Sequence, residues 1–214
     1  MVARGALMAG IAKQLGHPRG VGGRMVMLAL NRGNRGFVRA AVQALDADDD
    51  AVVADVGFGG GVGLKLLLDS VGRSGSVHGV EVSDTMLKQA AKRYRRDVAA
   101  GRLALHDGSL TRLPFADGAL NGVVTVNTIY FVADLQEAFI ELARVTAHSG
   151  RIVVGVANPE TLGKLPFTDD SFRLRPIPEV TNTLQSAGFT VQHRRIDASD
   201  GAPHLLIGTP GSSS

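Results

Sequence analysis

The sequence predicts an α/β fold: a doubly wound sheet of seven strands, mostly parallel with an antiparallel last strand, preceded by a helical N-terminal lid. Three observations predict it. From residue 51 onward, short apolar runs alternate with stretches of helical periodicity, the pattern of strand–helix–strand units. The runs are continuous rather than alternating, as in Val52-Val53-Ala54-Asp55-Val56, which suits strands covered by helices on both faces. The first run leads into a glycine-rich turn that opens directly into a helical stretch.

Residues 1–46 read as helical and glycine-punctuated. Candidate helices span 6–15, 24–31 and 36–45, the last with Phe37, Val38, Ala41, Val42 and Leu45 on one face. Gly16, Gly20, Gly22, Gly23 and Gly33 separate them. Residues 46–50 form an acidic turn. The strand at 51–56 and its glycine turn then lead to a helix ending near residue 71. A strand at 76–82 precedes a helix at 85–98, and 103–105 is a short strand. The next strand, 123–126, is followed by a helix at 135–145 and a strand at 151–156. Prolines at 159, 166, 176 and 178 mark a loop. A helix at 179–187 stops at Gly188, and strands at 189–196 and 204–207 finish the sheet. The expected organisation is a lid over 1–46, a core over 47–208 and a frayed tail over 209–214.

Composition bounds the function. The chain has 214 residues, 44% hydrophobic and 20% charged, the profile of a globular domain. With no cysteine, disulfides, zinc–thiolate sites and thiol nucleophiles are excluded. A formal net charge of +3 gives little support to nucleic-acid binding. The clusters Arg32/Arg35/Arg39, Lys92/Arg93/Arg95/Arg96 and His193/Arg194/Arg195 read as solvated faces. No apolar run approaches the ~20 residues of a membrane span. A cytoplasmic location is expected, and a homodimer is compatible with the sequence.

The central motif is Asp55-Val56-Gly57-Phe58-Gly59-Gly60-Gly61-Val62-Gly63, between a strand and a helix. Its glycines permit a tight turn and let the backbone come close to a ligand. Free amides and the helix N-terminus favour an anionic group nearby. A dinucleotide fingerprint starting at Gly57 needs glycine at position 62, where Val62 stands. No Lys-Ser/Thr pair follows, so the loop is not a P-loop. Asp55 would repel a pyrophosphate but suit a cation. Glu81 ends the second strand, 20 residues past Gly61, where an acid can accept from both hydroxyls of a ribose. A nicotinamide-binding fold offers the same acid, so Glu81 does not discriminate. Ser83 can cap the next helix, and Met86 can be core or line an adenine. The third strand ends His106-Asp107-Gly108-Ser109.

The Asp-x-Gly-x-Gly-x-Gly spacing resembles the first motif of class I S-adenosylmethionine (SAM)-dependent methyltransferases. Leu113-Pro114-Phe115-Ala116-Asp117-Gly118-Ala119-Leu120-Asn121 is similar to a stretch of the type 11 methyltransferase family, which includes the quinone C-methyltransferases. Leu142-Ala143-Arg144-Val145 and Ser149-Gly150-Arg151 resemble that family's helix and turn before its fifth strand. The resemblance covers about residues 50–157. Asn121 departs from it, since the family usually has aspartate there. The resemblance implies a Rossmann-like core that binds SAM and releases S-adenosylhomocysteine. It implies cofactor contacts from Asp55, Gly57, Gly59, Gly61, Glu81, Val82, Asp107, Gly108, Ser109 and Asn127, with Asp107 on the adenine amino group.

An acceptor would sit beyond the strand ends. Residues 127–131 form one wall, and Asn158, Pro159 and Glu160 follow the fifth strand. Methyl transfer needs alignment above all, and an alcohol acceptor also needs a base. The candidates are His17, in the Gly16-His17-Pro18-Arg19-Gly20 connection of the lid, Tyr130 and Glu160. His78, His193 and His204 fall in strands and read as structural. No metal site is predicted, although a divalent ion is compatible with the chemistry. The polar, proline-rich segment 157–178, with Asp169, Asp170, Arg173 and Arg175, favours a small sugar-like acceptor. Similar small actinobacterial enzymes methylate sugar hydroxyls. A quinone-like or lipophilic acceptor is the alternative, and a non-catalytic SAM-binding module is a third reading.

Overall fold

The computed structural model describes residues 35–163 and 173–211. The candidate helices at 6–15 and 24–31, His17, Asp169 and Asp170 lie outside them. Seven strands form one sheet: β1 (Val52–Val56), β2 (Ser76–Glu81), β3 (Leu103–Asp107), β4 (Leu120–Val126), β5 (Thr146–Val156), β6 (Phe189–Arg195) and β7 (His204–Pro210). Their order is β3-β2-β1-β4-β5-β7-β6. The pairs β1–β2, β2–β3, β1–β4 and β4–β5 are parallel, and β7 runs antiparallel between β5 and β6. The chain builds outward from β1 to β3, then returns to place β4 on the other side of β1. That reversal opens a crevice at the carboxyl ends of β1 and β4, where open α/β sheets bind ligands.

Helices cover both faces. On one face, α5 (Leu135–Val145) and α7 (Ile177–Ser186) bury Phe139, Leu142, Val180 and Leu184 against the sheet. On the other lie α1 (Arg35–Leu45), α2 (Val62–Ser70) and the pair α3 (Asp84–Arg93) and α4 (Arg95–Ala99). A short helix, α6 (Pro159–Gly163), follows β5 inside the segment read as loop. Among the described residues no helix is long and apolar enough to cross a membrane.

Helix α1 differs from its reading as part of a lid. Its apolar face, with Phe37, Ala41 and Leu45 no more than 2% exposed, belongs to the core. It can sit that close because the strands beneath it carry glycine. A Cβ at Gly122 would lie 2.8 Å from Leu45, and one at Gly155 would lie 3.0 Å from Phe37. Arg151 from β5 donates to the carbonyls of Ala44 and Leu45 at the helix end.

Several strands outrun their apolar cores. β4 begins at Leu120, and Asn121 Oδ1 accepts the amide of Val52 at 2.8 Å beside a register shift. The asparagine carbonyl thus serves as an acceptor where the family usually has a carboxylate. β7 extends to Pro210, two residues into the expected tail. The single helix expected at 85–98 is broken at Tyr94, whose side chain is buried beneath the glycine loop.

Candidate functional site

The site is built from the ends of four neighbouring strands. Leaving β1, the chain turns at Gly57, whose amide donates to Val80 O at 2.7 Å. Gly57 has φ +73°, and a Cβ there would lie 2.5 Å from Thr128 Oγ1. Only glycine combines that backbone with such close approach. Gly59 and Gly61 also adopt positive φ, which aims the loop across the end of β2.

Glu81 meets the loop there. It is 3% exposed, and its carboxylate accepts from the amides of Gly59 (3.1 Å), Val82 (2.9 Å) and Ser83 (3.1 Å). One acid therefore fixes the glycine loop to the β2 turn. Ser83 holds the N-cap position of α3 without a side-chain cap bond. Asp55 lies behind the loop, 6% exposed, and no described residue donates a hydrogen bond to it. Its carboxylate packs on the first turn of α2, where a Cβ at Gly63 would lie 2.2 Å from Asp55 Oδ2. Burial, and secondarily the charge of Glu81, push the Asp55 carboxyl up to about 7.

Beyond β3, Asp107 is exposed and Gly108 packs against Val80, where a Cβ would lie 2.9 Å from Val80 Cγ1. Beyond β4, Asn127 has φ +57° although it is not glycine, a conformation held only where the surroundings over-determine it. The fastening is visible: Asn127 N donates to Gly155 O at 2.9 Å, and Asn127 Oδ1 accepts from Ala157 N at 3.1 Å. Thr128 Oγ1 lies within reach of the carbonyls of Val56 and Val126, bridging the last turns of β1 and β4.

These ends enclose a cleft of about 160 Å³. Of the expected cofactor residues, Gly57, Gly59, Glu81, Val82, Gly108, Ser109 and Asn127 line it. Asp107 lines an outer groove of about 530 Å³ that shares Val82, Gly108 and Ser109 with the cleft. Asp55 and Gly61 are not part of this lining. Leu110 and Val132 also line the cleft, and the motif reading missed them. Leu110 is the next residue after a predicted contact, so position alone could have suggested it. Val132 owes its place to the 3₁₀ turn Ile129–Phe131, which nothing in the sequence marks.

Two of the three catalytic candidates, Tyr130 and Glu160, fall among the described residues, and neither lines the cleft. Tyr130 is 1% exposed, and its hydroxyl donates to Asn127 Oδ1 and Ala157 O, both at 3.3 Å. Burial drives its phenol far above the ordinary tyrosine range, so it is no base at neutral pH. The 3₁₀ turn points it inward and leaves Phe131 and Val132 toward the cleft. Glu160 is exposed on α6, and its amide is held by Asn158 Oδ1 at 3.0 Å. His17 lies outside the described residues. Two histidine pairs span neighbouring strands, His78 with His106 (3.0 Å) and His193 with His204 (2.8 Å), as expected of structural histidines.

Residues 54–154 match the family described as a methyltransferase domain. The chain is 27% identical over 132 residues to a demethylmenaquinone methyltransferase of Desulfitobacterium hafniense, covering 61% of this chain and 52% of that protein. It is 25% identical over 149 residues to an O-methyltransferase of Aspergillus nomiae, covering 65% and 64%. The chain spans 38 to 64% of the length of curated relatives such as these. The fold superposes on the YcgJ protein from Bacillus subtilis with a TM-score of 0.69 at 15% identity, covering 84% of this chain and 99% of that one. The family match over residues 54–154, the strand order and the glycine loop with its two acids agree, and this part of the chain is similar to the methyltransferase domain family.

Proposed function

We propose that this chain transfers a methyl group from SAM to a small-molecule acceptor. The observation that carries the reading is the convergence at one switch point of a glycine cradle, a pinned ribose acceptor in Glu81, and a buried carboxyl in Asp55 that no described donor meets. SAM fits these residues. Its positive charge would offset the burial of Asp55, its ribose hydroxyls would meet Glu81, and its amino-acid moiety would lie along Gly57, Gly59 and Gly61. Asp107, on the outer groove, would take the adenine amino group. When bound, SAM supplies an electrophilic methyl carbon on a sulfonium. The acceptor's nucleophilic atom forms its bond to that carbon as the carbon–sulfur bond breaks. The bonding pair stays on sulfur, and the acceptor's proton passes to a base or to solvent. The chain's contribution is alignment.

A quinone-like or other lipophilic ring is the acceptor class the described residues support best. Leu110, Phe131 and Val132 give the cleft an apolar wall. Arg175, expected on a polar rim, is turned inward, where it donates to the carbonyls of Ile129 (3.1 Å), Val132 (2.8 Å) and Ala133 (3.2 Å). The relatives named above act on demethylmenaquinone and on oxygen acceptors. A sugar-like hydroxyl is the second reading, favoured by the polar segment 157–178. It requires a base, and His17 would be that residue.

The test is to incubate the protein with SAM and panels of ring and sugar acceptors, following S-adenosylhomocysteine release and the position of the new methyl group. Calorimetry showing NADH binding and no SAM binding would sink the cofactor reading. A methylated sugar and no methylated ring would replace the first acceptor class by the second. In that case His17→Ala should lower turnover far more than SAM affinity.

A further inference from the structure

The glycine loop is held from two sides, and only one hold belongs to its own motif. Glu81 takes the amide of Gly59 at 3.1 Å. The other hold comes from Tyr94, 33 residues beyond the loop. Tyr94 is 5% exposed, and its hydroxyl donates to the carbonyl of Gly61 at 2.7 Å. Its ring also fills the space beside Gly61, where a Cβ would lie 3.3 Å from the Tyr94 ring. The same carbonyl accepts Lys65 N at 3.3 Å, and the Gly61 amide donates to Phe58 O at 2.8 Å. Next door, the Arg93 guanidinium lies over the Tyr94 ring, 5.4 Å from its centroid, and donates to Gly60 O at 3.4 Å. Residues 93 and 94 therefore grip two successive carbonyls from behind the loop.

The helix geometry explains how this is possible. Periodicity predicts one helix over 85–98, but Tyr94 leaves helical geometry, with φ −104° and ψ 24°. The break turns the phenol into the fold, under the loop, rather than out along the helix face. A peptide whose carbonyl is fixed on one side must present the following amide on the other. Pinning Gly60 and Gly61 by their carbonyls thus sets the direction of the next two amides, that of Gly61, which turns to Phe58 O, and that of Val62 at the start of α2.

The geometry points to Tyr94 as a positioning residue for the cofactor: its hydroxyl locks the left-handed Gly61 and presets the loop amides before any ligand arrives. This inference rests on the SAM reading above for what the cradle binds, but the lock itself is a property of the free protein. Burial also holds the phenol above its ordinary range, so it remains a donor through the whole range of working pH.

The test uses Tyr94→Phe, which keeps the ring and removes only the hydroxyl. A destabilising control, Val180→Ala, removes core volume from the opposite face of the sheet. Without ligand, Tyr94→Phe should speed amide exchange at residues 59–61 while exchange in β4 and β5 stays as in the parent. By calorimetry its Kd for SAM and for S-adenosylhomocysteine should rise roughly fivefold to tenfold, the scale of one buried hydrogen bond. Val180→Ala should lower the melting temperature and change neither readout. Unaltered loop exchange in Tyr94→Phe overturns the proposal, as does an equal change of loop exchange and affinity in Val180→Ala. If the parent protein binds no SAM, the cofactor reading fails, and the exchange measurement still decides the lock.

Discussion

Asp55 and Glu81 end neighbouring parallel strands, are buried to nearly the same depth, and live in opposite electrostatic conditions. Glu81 has an arm long enough to reach Gly59 and to turn back on the amides of Val82 and Ser83. Three donors offset the loss of water around its charge. Asp55 is one methylene shorter and lies against the first turn of α2, with no donor from any described residue. Its carboxyl is pushed up to about 7 by burial and by the nearby charge of Glu81. The same chemical group is thus a structural staple on one strand and, on the next, a carboxyl that no described residue meets with a donor. The difference lies in side-chain reach and in where the backbone amides converge.

The sharpest break of this comparison is Glu81→Ala. Three amides lose their acceptor, and stability should fall by about 3–5 kcal/mol. SAM affinity should fall by roughly ten- to a hundredfold in calorimetry. An unchanged dissociation constant would contradict the place of Glu81 in the cofactor site.

A pH titration tests the Asp55 side. Its folded-state pKa, about 7, lies above the ordinary aspartate value of 3.8, so the folded protein holds a proton that the unfolded chain gives up between those values. The stability it contributes is fully present below about pH 4 and is lost as pH rises through 7, by at most about 4 kcal/mol. A cationic ligand selects the ionised form, so SAM affinity should rise with pH up to about 7 and then level off. Asp55→Asn should flatten both slopes in melting and binding curves. Slopes that survive the substitution would mean that another group titrates.

Gly57→Ala places a Cβ against Thr128 at a left-handed backbone and should cost about 2–3 kcal/mol, with weaker SAM binding. Gly101 has φ +70° with nothing within 4 Å, so Gly101→Ala should cost only about 1 kcal/mol and leave binding alone. Equal losses from the two would remove the argument that close approach matters at Gly57. The smallest effect is expected from Tyr130→Phe. It deletes two long hydrogen bonds in the core, about 1 kcal/mol by chemical denaturation, and should keep methyl transfer within a few-fold of the parent. A near-complete loss of turnover would restore Tyr130 as a catalytic group.

Much of the cleft's lining was legible because its signals are local. Gly57, Gly59 and Gly61 stand within one turn of each other, and Glu81, Gly108 and Asn127 each follow directly on an apolar run that marks a strand end. The inward direction of Tyr130 was not legible, because it depends on a 3₁₀ turn that the sequence does not announce. Helix α1 was assigned to a lid because glycines precede it, whereas its burial depends on Gly122 and Gly155, more than 70 residues away. Tyr94 stood in a basic run that reads as solvated surface, and only the break between α3 and α4 turns it beneath the loop.

The sequence by itself determined the alternation of strands and helices, the first strand's glycine turn, and the acids at the ends of β1 and β2. Each of these follows from side-chain size, backbone freedom or periodicity over a few consecutive residues. Only the tertiary structure decided which buried acid is satisfied, which aromatic points inward, and which distant hydroxyl fixes the loop. Those outcomes depend on hydrogen-bond partners and packing distances between segments far apart in the chain, and neither exists until the sheet has brought the segments together.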